Sequence, residues 1–215
     1  MFKSEISRRA LLKRLGVAGA AALALPELSR VLLFQRGILA YQRPGADAGV
    51  QPQTLNDREL ATLAAVCARI IPSDQHGPGA AEARAFQYID RSLGGWLAPS
   101  RDAYTAGLAT LDDSARTSRG RPFVELSTAD QDAVLTAIEQ SPFFALIRTH
   151  TVQGTFCDPA YGGNANFVGW DLIGYPGVRL AVTPDEQRMT SLPKAIRRSA
   201  YDYAMFSAVG ATHAH

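Results

Sequence analysis

The chain has 215 residues, 47% of them hydrophobic and 20% charged, which is the balance of an ordinary globular protein with room for one sizeable core. Its net charge of +2 hides an asymmetry: residues 1–40 carry seven Lys/Arg against two Asp/Glu, so the remainder is net negative. A body of that sign lacks the basic footprint of a nucleic-acid-binding protein.

The first predicted element is an export leader. "SRRALLK" at 7–13 places Arg8 beside Arg9, ahead of a mildly apolar run from Leu15 to Leu25. A basic stretch followed by an apolar one is the layout of a secretory signal, and paired arginines point to the twin-arginine route, which serves proteins that fold before crossing a membrane. The apolar run is about 16 Å long as a helix against a hydrocarbon core of about 30 Å, too short to span. Ala22-Leu23-Ala24 has the small-x-small form of a cleavage site but no polar region before it, which leaves removal of the leader open. Residues 1–41 are therefore read as leader and following segment, the Gly/Pro/Gln stretch 42–53 as a linker, and 54–215 as a single helical domain.

Within that domain Thr54 is the predicted cap of a first helix, whose Leu60, Leu63, Cys67, Ile70 and Ile71 recur at helical spacing until Pro72 stops it. Cys67 lies on the apolar stripe and reads as a small buried hydrophobe. After the turn-rich "PSDQHGPGA" a second helix is expected from Ala80 through Phe86, Ile89 and Leu93, ended by Gly94-Gly95. A third is expected over 100–115, a fourth over 128–140 capped by Ser127 or Thr128, and a fifth from Pro142 to about Gly154. A last helix is expected over 193–206. No strand pattern emerges, so the predicted fold is all-α, with five to six helices and one long ordered loop. That loop, "GTFCDPAYGGNANFVGWDLIGYPG" at 154–177, is rich in glycine and carries Phe156, Tyr161, Phe167, Trp170 and Tyr175 without any regular period.

The sequence contains no cofactor motif. The glycines at 16 and 19 follow no strand, as a dinucleotide fingerprint requires; there is no Cys-x-x-Cys-His for haem; and two cysteines are too few for an iron–sulfur cluster. His76, His150, His213 and His215 show no metal-ligand spacing, and no Gly-x-Ser-x-Gly elbow is present. His150 and Cys157 are a nucleophile–base pair in composition only, being nearly two helical turns apart. Asp74 and Asp158 are explained by turns. The aromatic rings of the loop either pack over its own helices or face another protein, since such rings bury large areas with few torsions to freeze.

"IIPSDQHGPGA" (70–80), "FQYID" (86–90), "SPFF" (141–144) and the 154–177 loop together resemble the gluconate 2-dehydrogenase subunit 3 family. The resemblance implies a non-catalytic small, or gamma, subunit with no cofactor of its own. It implies a large FAD-binding partner of the glucose–methanol–choline (GMC) type that lacks a leader, and often a multihaem cytochrome c subunit that takes the electrons onward. Haem or an iron–sulfur cluster would sit in those partners. The leader, read by the twin-arginine translocase, would then export flavin subunit and small subunit together to the periplasm, where the complex associates peripherally with the membrane. Phe156, Cys157, Asp158, Tyr161, Asn164, Phe167, Trp170 and Tyr175 are the expected partner interface. Cys157 is a candidate for an intersubunit disulfide; an internal Cys67–Cys157 bond and two free thiols are the alternatives. Two further readings stand beside this one: a metal-dependent periplasmic hydrolase using His76, Asp74 or Asp158, and a sugar-binding module with Trp170 as its platform.

Overall fold

The computed structural model describes residues 52–188, 190 and 193–207. The twin-arginine motif at Arg8 and Arg9, nearly all of the linker, and His213 and His215 lie outside the described residues. Among the described residues the fold is helical throughout, with one isolated β-bridge between Asp74 and Gly77 and no strand. None of the described helices is long and apolar enough to cross a membrane.

Helix α1 (Asp57–Ile70) is capped by Asn56, whose side chain accepts the Glu59 N–H while the Glu59 carboxylate accepts the Asn56 N–H. Thr54, the predicted cap, is instead part of a bent lead-in. Its backbone N–H, with those of Gln53 and Leu55, points at the Asp90 carboxylate, at 3.0, 2.7 and 2.8 Å respectively. That long-range clamp moves the helix start two residues on.

Helix α2 (Ala85–Leu93) starts later than its apolar pattern predicts. Arg84 stands in the left-handed region, at φ 53°, and breaks the helical course of the turns at 80–84. Helix α3 (Arg101–Arg119) runs four residues beyond the predicted end and stops at Gly120, a left-handed cap at φ 74°. Helix α4 (Thr128–Ala137) is three residues shorter than predicted, and α5 (Pro142–Phe156) follows a Ser141 cap with proline in its first turn.

These five helices share one apolar cluster. Leu63, Val66 and Cys67 of α1, Ile89 and Leu93 of α2, Tyr104, Leu108 and Leu111 of α3, Val134 and Leu135 of α4, and Ile147 of α5 are all buried in it. Each aliphatic side chain so buried contributes about 1.5–3 kcal/mol. Asp112 joins the helices on the polar side: its carboxylate accepts the Phe123 N–H at 2.8 Å and pairs with Arg58 and Arg116. Burial opposes its ionisation, but these donors win and hold its pKa below the usual value.

His150 of α5 is buried between Tyr104 and Trp96, and its Nδ1 shares a 2.9 Å hydrogen bond with the Tyr104 hydroxyl. Desolvation pushes its pKa down to about 4. As pH falls below 6.5 the unfolded chain takes up a proton that the folded chain refuses, so stability is complete above that pH and drains away towards pH 4. The expected loss from this group is on the order of 2–3 kcal/mol between pH 7 and pH 4. Denaturant titrations of wild-type and His150→Gln across that range check it, the variant giving the flatter slope.

The predicted helix over 193–206 does not form. Residues 193–199 take no regular secondary structure, a single 3₁₀ turn covers Ala200–Asp202, and only Ala204–Ser207 closes a helical turn. Counted in chain order, two helices lie between α5 and this last turn, α8: α6 (Val168–Ile173) inside the aromatic loop, and α7 (Pro184–Gln187). The sequence pattern indicates neither.

Candidate functional site: the loop that closes α5

A helix end leaves carbonyls without partners, and the last turn of α5 is finished by the loop after it. Gly154 O accepts the Asn164 N–H at 2.8 Å, Phe156 O accepts the Trp170 indole N–H at 3.1 Å, and Cys157 O accepts from Asn164 Nδ2 at 2.8 Å. Asn164 Oδ1 in turn accepts the Gly169 N–H at 2.7 Å. One wholly buried amide thus braces both sides of the loop. The same loop reaches the turns ahead of α2 through the Ala165 N–H on Ala83 O.

Tight backbone stacking explains two of the glycines. A Cβ at Gly163 would sit 2.1 Å from Gly154 O, and one at Gly169 only 1.8 Å from Thr155 O. The turn between them runs through left-handed residues, Asn164 at φ 44°, Asn166 at φ 54° and Phe167 at φ 63°. Asparagine tolerates that region; phenylalanine is held there by its surroundings, with its ring 5.3 Å from that of Trp170.

Asp158 connects this loop to the C-terminal segment. Its carboxylate accepts the Ala160 N–H at 2.9 Å, the Ser199 hydroxyl at 2.6 Å and the Ala200 N–H at 2.7 Å. The hydroxyls of Tyr161 and Tyr201 are 2.7 Å apart, Arg197 pairs with Asp171 at 2.6 Å, and the Ile196 N–H donates to Pro176 O at 2.7 Å. Residues 193–203 therefore lie across the loop as a strap. Asp158→Asn keeps the shape of the anchor but removes its charge. It should weaken the strap by about 1–2 kcal/mol, read as faster hydrogen exchange at the Ala200 amide with little change in global stability.

The expected interface residues thus divide. Asn164 and Trp170 are buried and turned inward, so in this conformation they shape the loop rather than offer contact area. Phe156, Tyr161 and Phe167 are half-buried, Asp158 is committed to the strap, and Tyr175 is exposed, its ring standing edge-on 4.9 Å from that of Trp170. Cys157 is a half-buried free thiol with Sγ on Gly154 O at 3.6 Å; burial pushes its pKa up to about 12, which suppresses the thiolate that disulfide exchange needs. Cys67 is also free, buried against the Thr151 hydroxyl at 3.3 Å.

The residues weighed for catalysis are dispersed. Asp74 accepts the His76 N–H in an exposed turn, His150 is engaged by Tyr104, and Asp158 by the strap. Among the described residues no three His, Cys, Asp or Glu side chains group as a metal site would require.

A family model described as gluconate 2-dehydrogenase subunit 3 matches residues 57–177, more than half of the chain. The chain belongs to that family. No curated protein and no solved structure matches it. The match to subunit 3 begins at the first residue of α1 and ends at Gly177, so it includes the whole loop and leaves the strap outside. The motifs that carry the resemblance acquire physical roles: "FQYID" ends in Asp90, the clamp on the lead-in, and the loop motif supplies the brace and the stacked glycines. The sequence pattern alone does not single out Asp90, although a signal is present. It falls four residues after Phe86 and three before Leu93, and a carboxylate on that apolar stripe demands buried donors.

Proposed function

We propose that this chain is the non-catalytic small subunit of a periplasmic, FAD-dependent dehydrogenase complex that oxidises a sugar or sugar acid. In this reading Arg8 and Arg9 address the chain to the twin-arginine translocase, and a large GMC-type flavin subunit without a leader travels with it. The small subunit also assists the folding and stability of its partner. A multihaem cytochrome c subunit receives the electrons, and any haem or iron–sulfur cluster belongs to such partners; through them the complex sits at the membrane surface.

The observation that carries the reading is the subunit 3 match across a loop whose polar groups are occupied by the chain's own backbone. A family of dehydrogenase subunits, together with a loop built for shape, fits an assembly role. Expression of the flavin subunit with this chain, without it, and with Arg8→Lys/Arg9→Lys tests it. Flavin-loaded activity in the periplasm is expected only with the unaltered chain. Equal periplasmic activity in all three would overturn the proposal.

A further inference from the structure

We infer that Tyr104 and His150 form a redox-active pair, reached from the surface through Trp96, that takes up one-electron oxidising equivalents from diffusible oxidants such as oxygen-derived radicals. Tyr104 of α3 is wholly buried, and His150 of α5 is nearly so. Their rings stack at 5.9 Å with the hydroxyl 2.9 Å from Nδ1, and the Phe143 ring closes edge-on against Tyr104 at 6.0 Å. Trp96, in the turn after α2, stands edge-on to His150 at 6.2 Å and is 37% exposed. An indole that meets solvent is thus one ring away from the buried phenol.

A phenol is readily oxidised when its proton can leave with the electron, and a buried phenol needs a base within hydrogen-bond reach for that. Burial pushes the pKa of the Tyr104 phenol up, so it enters the reaction protonated. Burial likewise keeps His150 neutral at pH 7, with one ring nitrogen able to accept. A phenol that has lost an electron is a strong acid, so a weakly basic imidazole suffices. The oxidant takes one electron from Trp96, whose N–H proton leaves to water. An electron then passes from Tyr104 to the indole, the Tyr104 O–H proton crosses to His150 Nδ1, and water returns a proton to the indole nitrogen. The products are a Tyr104 phenoxyl radical, a His150 imidazolium, intact Trp96 and the reduced oxidant.

Tyr88 supplies the internal comparison. Its ring is 6.3 Å from that of Trp96, but its hydroxyl donates to Gln153 Oε1 at 3.3 Å, an amide oxygen that holds no proton at neutral pH. Proximity to Trp96 favours Tyr88; the base favours Tyr104.

Pulse radiolysis of the full chain tests the pair. Azide radicals oxidise indole in preference to phenol, and every sample carries Tyr175→Phe, which removes the phenol whose ring is 4.9 Å from that of the other tryptophan, Trp170. In that background the indole radical band should decay as a tyrosyl band grows, at a rate independent of protein concentration and slower in D2O. Tyr104→Phe should abolish this delayed growth, Tyr88→Phe should leave it unchanged, and Trp96→Phe should remove the indole signal that precedes it. His150→Gln should slow the growth by about 100-fold. Indole decay without tyrosyl growth overturns the inference, as does delayed growth that survives Tyr104→Phe or Trp96→Phe, or that is lost in Tyr88→Phe. A growth rate unchanged both in His150→Gln and in D2O removes the base, and the pair with it. Should Tyr104→Phe fail to fold, as judged by thermal unfolding, the background chain, Tyr88→Phe and His150→Gln decide the outcome between them.

Discussion

Gly169→Ala is expected to destabilise the chain by about 3–5 kcal/mol, because the added methyl meets backbone rather than a side chain that could turn away. The new Cβ would lie 1.8 Å from Thr155 O and 3.1 Å from Asn164 Oδ1, so relief requires the loop to lift from α5. Lifting it breaks the Gly169 N–H bond to Asn164 and, with it, the bonds from Asn164 to Gly154 O and Cys157 O. Gly174→Ala is the natural contrast. Gly174 has φ 67°, and a methyl added there would find nothing within 4 Å, so the substitution meets only backbone strain of about 1 kcal/mol. Urea unfolding of the two variants separates the mechanisms, and similar losses in both would contradict the stacking argument.

Asp90→Ala should cost about 3 kcal/mol or more, since it strands three consecutive backbone N–H groups and opens a space where the carboxylate was buried. The donors come from Gln53, Thr54 and Leu55, and the Leu55 side chain is itself in the core. Asp90→Asn keeps the size but exchanges one acceptor oxygen for a donor, so it should recover only part of the loss. Calorimetric unfolding measures both. A limited proteolysis assay gives an independent readout: cleavage between Gln53 and Leu55 should be much faster in Asp90→Ala than in wild-type.

The helices that pack in the core were legible because their sequences repeat at the spacing that core-facing positions need. Leu60, Leu63 and Cys67, or Tyr104, Leu108 and Leu111, identify a buried face with no knowledge of what covers it. The start of α1, the absent helix over 193–206 and the unpredicted α6 trace instead to bonds between residues far apart in sequence. The start of α1 shifted because Asp90 holds the Thr54 N–H. The expected helix over 193–206 has adequate local spacing, yet Pro176 takes the Ile196 N–H and Asp158 takes that of Ala200, donors that a continuous helix would have kept for itself. Helix α6 is too short to display a period, and its Trp170 is placed by the carbonyl at the end of α5.

The candidate site shows the same division. The composition of the 154–177 loop announced that it was ordered, and its aromatics suggested contact with another protein. What composition could not convey is that the most distinctive residues, Asn164 and Trp170, face inward. Four of the large apolar side chains left outside, Leu180, Val182, Met205 and Phe206, lie beyond the stretch that the family shares.

The Asp90 clamp also has a mechanical consequence. Tension applied to the polypeptide ahead of Gln53 would not peel α1 open one turn at a time from its end. The load passes first through three hydrogen bonds into the side of α2, and through the Arg101 guanidinium on Thr54 O into the start of α3. These bonds stand between the pull and the first turn of α1, so the clamp takes the load before that helix does.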